Sequence, residues 1–156
     1  MVGNRSLRRS ALVLVAVVMS AVFGSATAVA AELGDYRWER RPLLIFAPTD
    51  RDPRLVETQG RVDATRCDFL ARDMVLGVLV AQGRSTLDGQ TVDAGQASRL
   101  AAQFGVDPDS FSVVLIGKDG GAKWRVDEVP DLQRVYDVVD GMPMRSREMK
   151  DGPRQC

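Results

Sequence analysis

No histidine occurs anywhere in these 156 residues. That absence removes serine–histidine–aspartate and cysteine–histidine nucleophiles, histidine-ligated zinc, and the side chain best suited to moving protons near neutrality. An enzyme built from this chain would have to work with carboxylates, a thiol, lysine or arginine. Cysteine is nearly as scarce, with Cys67 and Cys156 the two present, so no Cys-x-x-Cys pair is encoded. Charge of either sign is not in excess, since 21 basic residues balance 21 acidic ones. There is no basic strip interleaved with aromatics, and nucleic acid is not expected as a partner. The longest apolar run, Ala11 to Phe23, is short for a bilayer span, and no second one follows it.

What precedes and follows that run is informative. Arg5, Arg8 and Arg9 form a basic start, and Ala28-Val29-Ala30 fits the small-x-small pattern that a signal peptidase reads. Residues 1–30 are therefore expected to be a signal peptide cleaved before Ala31, with an uncleaved anchor as the alternative. No cysteine follows closely enough for a lipoprotein anchor. The mature chain is expected to be periplasmic or secreted, with no membrane span after cleavage. It would comprise one domain over 31–149 and a flexible C-terminal tail over 150–156. That leaves about 125 residues, the size of a single domain with its own core. The first thirty residues hold three basic and no acidic side chains, so the mature part is mildly acidic, 18 basic against 21 acidic.

Short apolar runs alternate with amphipathic stretches, the pattern of an α/β layer fold. Leu43 to Ala47 reads as a buried first strand, and Asp52-Pro53 as an N-cap followed by proline at the first helical position. One helix is expected to run to about Leu70, weakened locally at Gly60. Met74 to Val80 reads as a second interior strand, and 82–91 as a polar loop. Asp93 with Gln96 opens a second helix, with Ala97, Leu100, Ala101 and Phe104 as its apolar stripe and Gly105 as its stop. Phe111 to Ile116 and Ala122 to Val126 read as a hairpin turning at Asp119-Gly120, a dipeptide suited to positive φ at both turn positions. The last helix starts near Pro130, with Leu132, Val135, Tyr136 and Val139 inward. The order β-α-β-α-β-β-α is that of a thioredoxin-like domain, with a mixed sheet of four or five strands.

Several separated motifs carry a resemblance. Leu115-Ile116-Gly117-Lys118-Asp119-Gly120-Gly121 and Met142-Pro143-Met144-Arg145 resemble those of a family of exported bacterial proteins of unknown function. Asp35-Tyr36-Arg37-Trp38, Leu43 to Pro48, Arg72-Asp73 and Glu148-Met149 match the same pattern, so the resemblance spans roughly Asp35 to Met149. The family's domain is also found in animal matrix proteins of the sushi-repeat-containing and equarin types. The resemblance implies a thioredoxin-like or peroxiredoxin-like fold and supplies no reaction.

Thioredoxin-like enzymes place a low-pKa thiolate at the N-terminus of the first helix. Here that stretch is Thr49-Asp50-Arg51-Asp52-Pro53, without a thiol. The leading expectation is accordingly a non-redox binding or envelope-associated module with no cofactor. An atypical thiol-dependent reductase or peroxidase using Cys67 is the alternative, and a Met-based copper module using Met142, Met144 and Met149 is the third. Thr49 and Asp50 are weak catalytic candidates because α/β folds place ligands at the carboxyl ends of strands. Cys67 reads as a half-buried helix residue or as one half of a Cys67–Cys156 disulfide, with a reactive thiol or an intermolecular link through Cys156 as the remaining alternative. Asp35, Tyr36, Trp38 and Arg41 look exposed. Lys118, Lys123, Arg125 and Arg145 form a candidate docking surface for an unknown protein or anionic glycan.

Overall fold

The computed structural model describes residues 32–152. The expected signal segment and the cysteine at the C-terminus lie outside them. A 3₁₀ turn, Leu33–Tyr36, leads into β1 (Arg41–Thr49), then α1 (Pro53–Ala64), α2 (Arg66–Ala71) and β2 (Met74–Gln82). There follow β3 (Ser85–Leu87), β4 (Gln90–Val92), α3 (Ala94–Gln103), β5 (Ser112–Ile116), β6 (Ala122–Val126), α4 (Leu132–Asp140) and α5 (Pro143–Lys150). The sheet has six strands rather than four or five, in the order β4-β3-β2-β1-β5-β6. β1 and β2 are parallel and the remaining pairs antiparallel.

Central β1 is buried on both faces, and its alternation divides the core in two. Leu43, Ile45 and Ala47 join Leu55, Val62, Phe69, Val135 and Val139 beneath α1, α2 and α4. Leu44 and Phe46 join Leu79, Leu87, Ala97 and Leu100 beneath α3. The α4 stripe is as expected, with Leu132, Val135, Tyr136 and Val139 all buried. The caps also match the sequence: Asp52 accepts from Arg54 N–H at 2.9 Å, and Asp93 from Gln96 N–H at 2.8 Å.

Three local expectations are corrected. The first helix does not run unbroken to Leu70 but breaks at Thr65. Thr65 leaves helical geometry (φ −117°, ψ 30°), and its hydroxyl lies 2.6 Å from Tyr136 Oη, so a tertiary contact sets the break. The stretch 82–91 is no plain loop but holds the β3–β4 hairpin, where Asp88 and Gly89 take φ +50° and +78°. At Asp119-Gly120 the hairpin is present, yet of the two only Gly120 has positive φ (+85°). A register shift at Leu115/Ile116 accommodates this longer turn. The Met142-Pro143-Met144 segment starts α5, with Met142 as N-cap and Pro143 in the first turn.

Candidate functional site

The carboxyl ends of β1 and β2 form one pole of the domain. Thr49 is half-buried, and its hydroxyl accepts from Arg51 N–H at 3.3 Å in a turn. Asp50 is exposed and lies against Gly83, whose φ of +125° brings its backbone under that carboxylate. A Cβ on Gly83 would stand 2.8 Å from Asp50 Cγ. Asp52 is buried, and the Arg54 hydrogen bond holds its carboxyl below the usual range. Arg54 in turn stacks 4.9 Å from the Phe111 ring centroid. Beside this pole a cavity of about 550 Å³ opens between the strand ends and α3, lined by Phe46, Leu79, Val80, Ala101 and Asp107. No nucleophile and base meet here: Thr49 and Asp50 both stand in turn contacts.

The opposite pole holds a dense ion network. β1 starts there with Arg41, Asp73 directly precedes β2, and Lys118 follows β5, which runs antiparallel to β1. α5 closes the pole from below. Glu148 accepts from Arg41 Nη1 and Nη2, both at 3.0 Å, and from Lys118 Nζ at 2.7 Å. Lys118 Nζ also donates to Asp73 Oδ2 at 2.8 Å. Arg41 is 0% exposed and Lys118 8% exposed. Burial alone would raise the Glu148 pKa, but the hydrogen bonds and charges of Arg41 and Lys118 overcome it and bring it to about 2. Arg41 Nε is buried with no hydrogen-bond partner among the described residues. A second group adjoins the first. Arg72 pairs with Asp140 at 2.7 Å and stacks on the Tyr136 ring, while Arg145 donates to Asp140 at 3.2 Å and to Ala71 O at 2.9 Å. Burial pushes the Asp140 carboxyl up, and Arg72 and Arg145 pull it below its ordinary value.

These placements divide the expected docking surface. Lys118 and Arg145 are buried structural cations, and Arg41 is buried too, contrary to the exposure read from sequence. Buried pairing is the physical reason: Arg41 and Lys118 face carboxylates from distant parts of the chain, and Arg145 lies between Asp140 and Glu148 while donating to Ala71 O, 74 positions away. Lys123 and Arg125 do lie exposed on β6, paired with Asp119 and Asp127 at 2.5 and 3.0 Å. Arg125 also donates to Phe104 O at 2.7 Å. Nearby, Trp38 is 58% exposed at φ +73°, with its N–H donating to Lys118 O and the Arg37 guanidinium 5.1 Å from its ring. A bulky residue in left-handed backbone is uncommon and marks a conformation the surroundings impose.

Cys67 sits on α2 and is exposed rather than half-buried. It is disulfide-bonded, and no cysteine among the described residues is free. Met142 packs against the core as the α5 cap, whereas Met149 is largely exposed. Met144 and Met149 are five positions apart on α5 and point about 140° apart, so the three thioethers do not share one face.

A mixed sheet flanked by helices, with a parallel β1–β2 pair and antiparallel β5 and β6, defines a thioredoxin-like α/β domain. The chain belongs to the family described as Domain of unknown function (DUF4174), which matches residues 32–148. Among solved structures it is similar to Prx1a of Plasmodium yoelii, modified at its N-terminus, with a TM-score of 0.52 and 15% identity. That likeness covers 81% of this chain and 84% of the other and speaks for the fold alone. A relative in sequence is Coiled-coil domain-containing protein 80 of Danio rerio, 26% identical over 133 residues. The match takes in 75% of this chain but 15% of that protein, of which the chain spans a small part.

Proposed function

We propose that this chain is an exported, non-redox binding module, periplasmic or secreted, built on a thioredoxin-like frame. The β1–α1 junction carries this reading: Thr49-Asp50-Arg51-Asp52-Pro53 offers no thiol, and the Asp52 carboxylate is committed to capping α1 and to Arg54. Export is supported by the basic start, the apolar run and Ala28-Val29-Ala30, and by the disulfide at Cys67, since such bonds persist in oxidising compartments. The chain's other cysteine is Cys156, and we adopt an intrachain Cys67–Cys156 bond. It makes Cys67 a structural residue rather than a nucleophile.

The docking surface is the exposed part of the β5–β6 hairpin, Lys123 and Arg125, extended by Arg37 and Trp38. Arginine supplies planar paired donors for carboxylate or sulfate, and an exposed tryptophan supplies rigid contact area. The partner is a protein or a glycan carrying such groups. To test it, full-length protein is applied to an immobilised sulfated polysaccharide while peroxide consumption is followed on the same preparation. Retention lost in Lys123→Glu/Arg125→Glu, with no peroxide consumed, is the expected result. Retention that survives charge reversal removes this surface. Peroxide turnover abolished by Cys67→Ala would overturn the non-redox reading.

A further inference from the structure

α3 meets the sheet through alanines. Ala97 and Ala101, one turn apart on that helix, belong to the same apolar cluster as Phe46 of β1 and Leu79 of β2. Side chains this small leave space in front of the larger ones, and the cavity of about 550 Å³ opens there. Beyond α3, Gly105 turns the chain at φ +61°, Val106 is buried, and the exposed Asp107 and Ser110 complete the lining.

The cavity lies where the chain changes sides of the sheet. From β1 to β2 it passes through α1 and α2 over one face, and from β4 back to β5 it passes through α3 over the other. β1 stands between β2 and β5, and its carboxyl end pairs with the start of β5, Phe46 opposite Ser112. Open α/β sheets take ligands at such a crossing point, beyond the carboxyl ends of the strands.

The lining also has the composition of a small-molecule site, an apolar wall with a few polar groups, at a volume inside the usual range of about 300–1,000 Å³. Asp107 is the one charged side chain in it, and its carboxylate bonds to no described residue. The Ser98 and Ser110 hydroxyls are likewise unbonded among the described residues, whereas Thr58, Thr65 and Ser146 fold back onto carbonyls of their own helices. Arg125 reaches the carbonyl of Phe104, next to Gly105, but is already paired with Asp127. An anionic ligand would meet Asp107 with no cation in the lining to offset it, and a cationic one would complement it.

We propose that this cavity binds a small amphipathic amine, its aromatic or alkyl body against Phe46 and the α3 alanines and its ammonium at Asp107. Ser98 and Ser110 offer acceptors for the remaining N–H donors. The site is separate from the Lys123–Arg125 surface and does not depend on that reading.

The test follows the amide NMR shifts of the full chain during titration with tryptamine, indole-3-propionate and indole, which share a ring system and differ in charge. Tryptamine should shift Ala97, Ala101 and the 105–110 amides other than Pro108, with a dissociation constant of about 1 mM or tighter. The acid should bind roughly five-fold or more weakly, at least the strength of one exposed ion pair. Asp107→Asn should erase that preference and leave indole binding unchanged, and Ala101→Leu should weaken all three by filling the cavity. No shift at these amides with any probe up to about 5 mM overturns the site, as does unchanged binding in a folded Ala101→Leu. Should Ala101→Leu fail to fold, Ser98→Leu, on an exposed position of the same helix, takes its place. Equal affinity for amine and acid overturns the choice of ligand, and a preference that survives Asp107→Asn removes that carboxylate from the account.

Discussion

Lys118 and Glu148 meet at 2.7 Å, the ammonium two residues past β5 and the carboxylate on the last turns of α5. Lys118 has Asp73 on its other side, so a buried cation stands between two carboxylates, one just before β2 and one on α5. The helix is fixed through that cation and through Arg41, which grips both Glu148 oxygens.

Glu148→Gln keeps the shape of the side chain and removes its charge. Arg41 and Lys118 then remain buried with one fewer anion. The loss should be about 2–3 kcal/mol, near the lower end for a broken buried pair because Glu148 keeps 23% exposure. Urea unfolding of the two proteins at neutral pH measures it. A difference below about 0.5 kcal/mol, the scale of an exposed pair, would show that the network does not carry α5.

Acid should act on the same site. Glu148 titrates at about 2 when folded, below its ordinary 4.5, because Arg41 and Lys118 outweigh the opposing effect of burial. Its neighbours are those two cations together with Asp73, Arg145 and, through Arg145, Asp140. A depressed carboxyl contributes stability that is fully present above its unfolded value and is lost as pH falls through the folded value. The urea midpoint should therefore fall between pH 4.5 and pH 2, and Asp140, also lowered, adds to the same slope. In Glu148→Gln the fall should be shallower. An unchanged slope in that variant would place the acid sensitivity elsewhere.

Gly77 lies in the middle of β2, pressed against the core beneath α3. A Cβ there would stand 2.6 Å from Leu44 Cδ2 and 3.1 Å from Leu87 Cδ1. Gly77→Ala forces two fully buried leucines to move and should cost about 1–3 kcal/mol, with Gly77→Val worse. Thermal unfolding decides this. A stabilised Gly77→Ala would mean that Leu44 has a free rotamer to take.

Features written in neighbouring residues were legible in the sequence. Asp52 before Pro53, Asp93 before Gln96 and the stripe from Leu132 to Val139 each act within a turn or two, and each stands where expected. The Thr65 break was not legible, since its contact is with Tyr136, 71 positions away. The β3–β4 hairpin carried a readable sign in Asp88-Gly89, but strands of three residues are too short to show a period. The ion network was the hardest to foresee. Arg41 and Glu148 are 107 positions apart, and a lysine or arginine in isolation reads as solvated charge. Yet Arg72-Asp73, Lys118, Arg145 and Glu148 all fell within motifs that carried the family resemblance, and in space those motifs converge on a single pole.

The sheet's margins limit how another chain could attach. On one side it ends in β4, only three residues long, and on the other in β6, which carries Lys123 and Arg125. Short or charged borders discourage an incoming chain from extending the sheet by main-chain pairing. Under the proposed binding reading, recognition would fall to side chains displayed at turns and strand faces, which can be exchanged one at a time while the scaffold beneath stays the same.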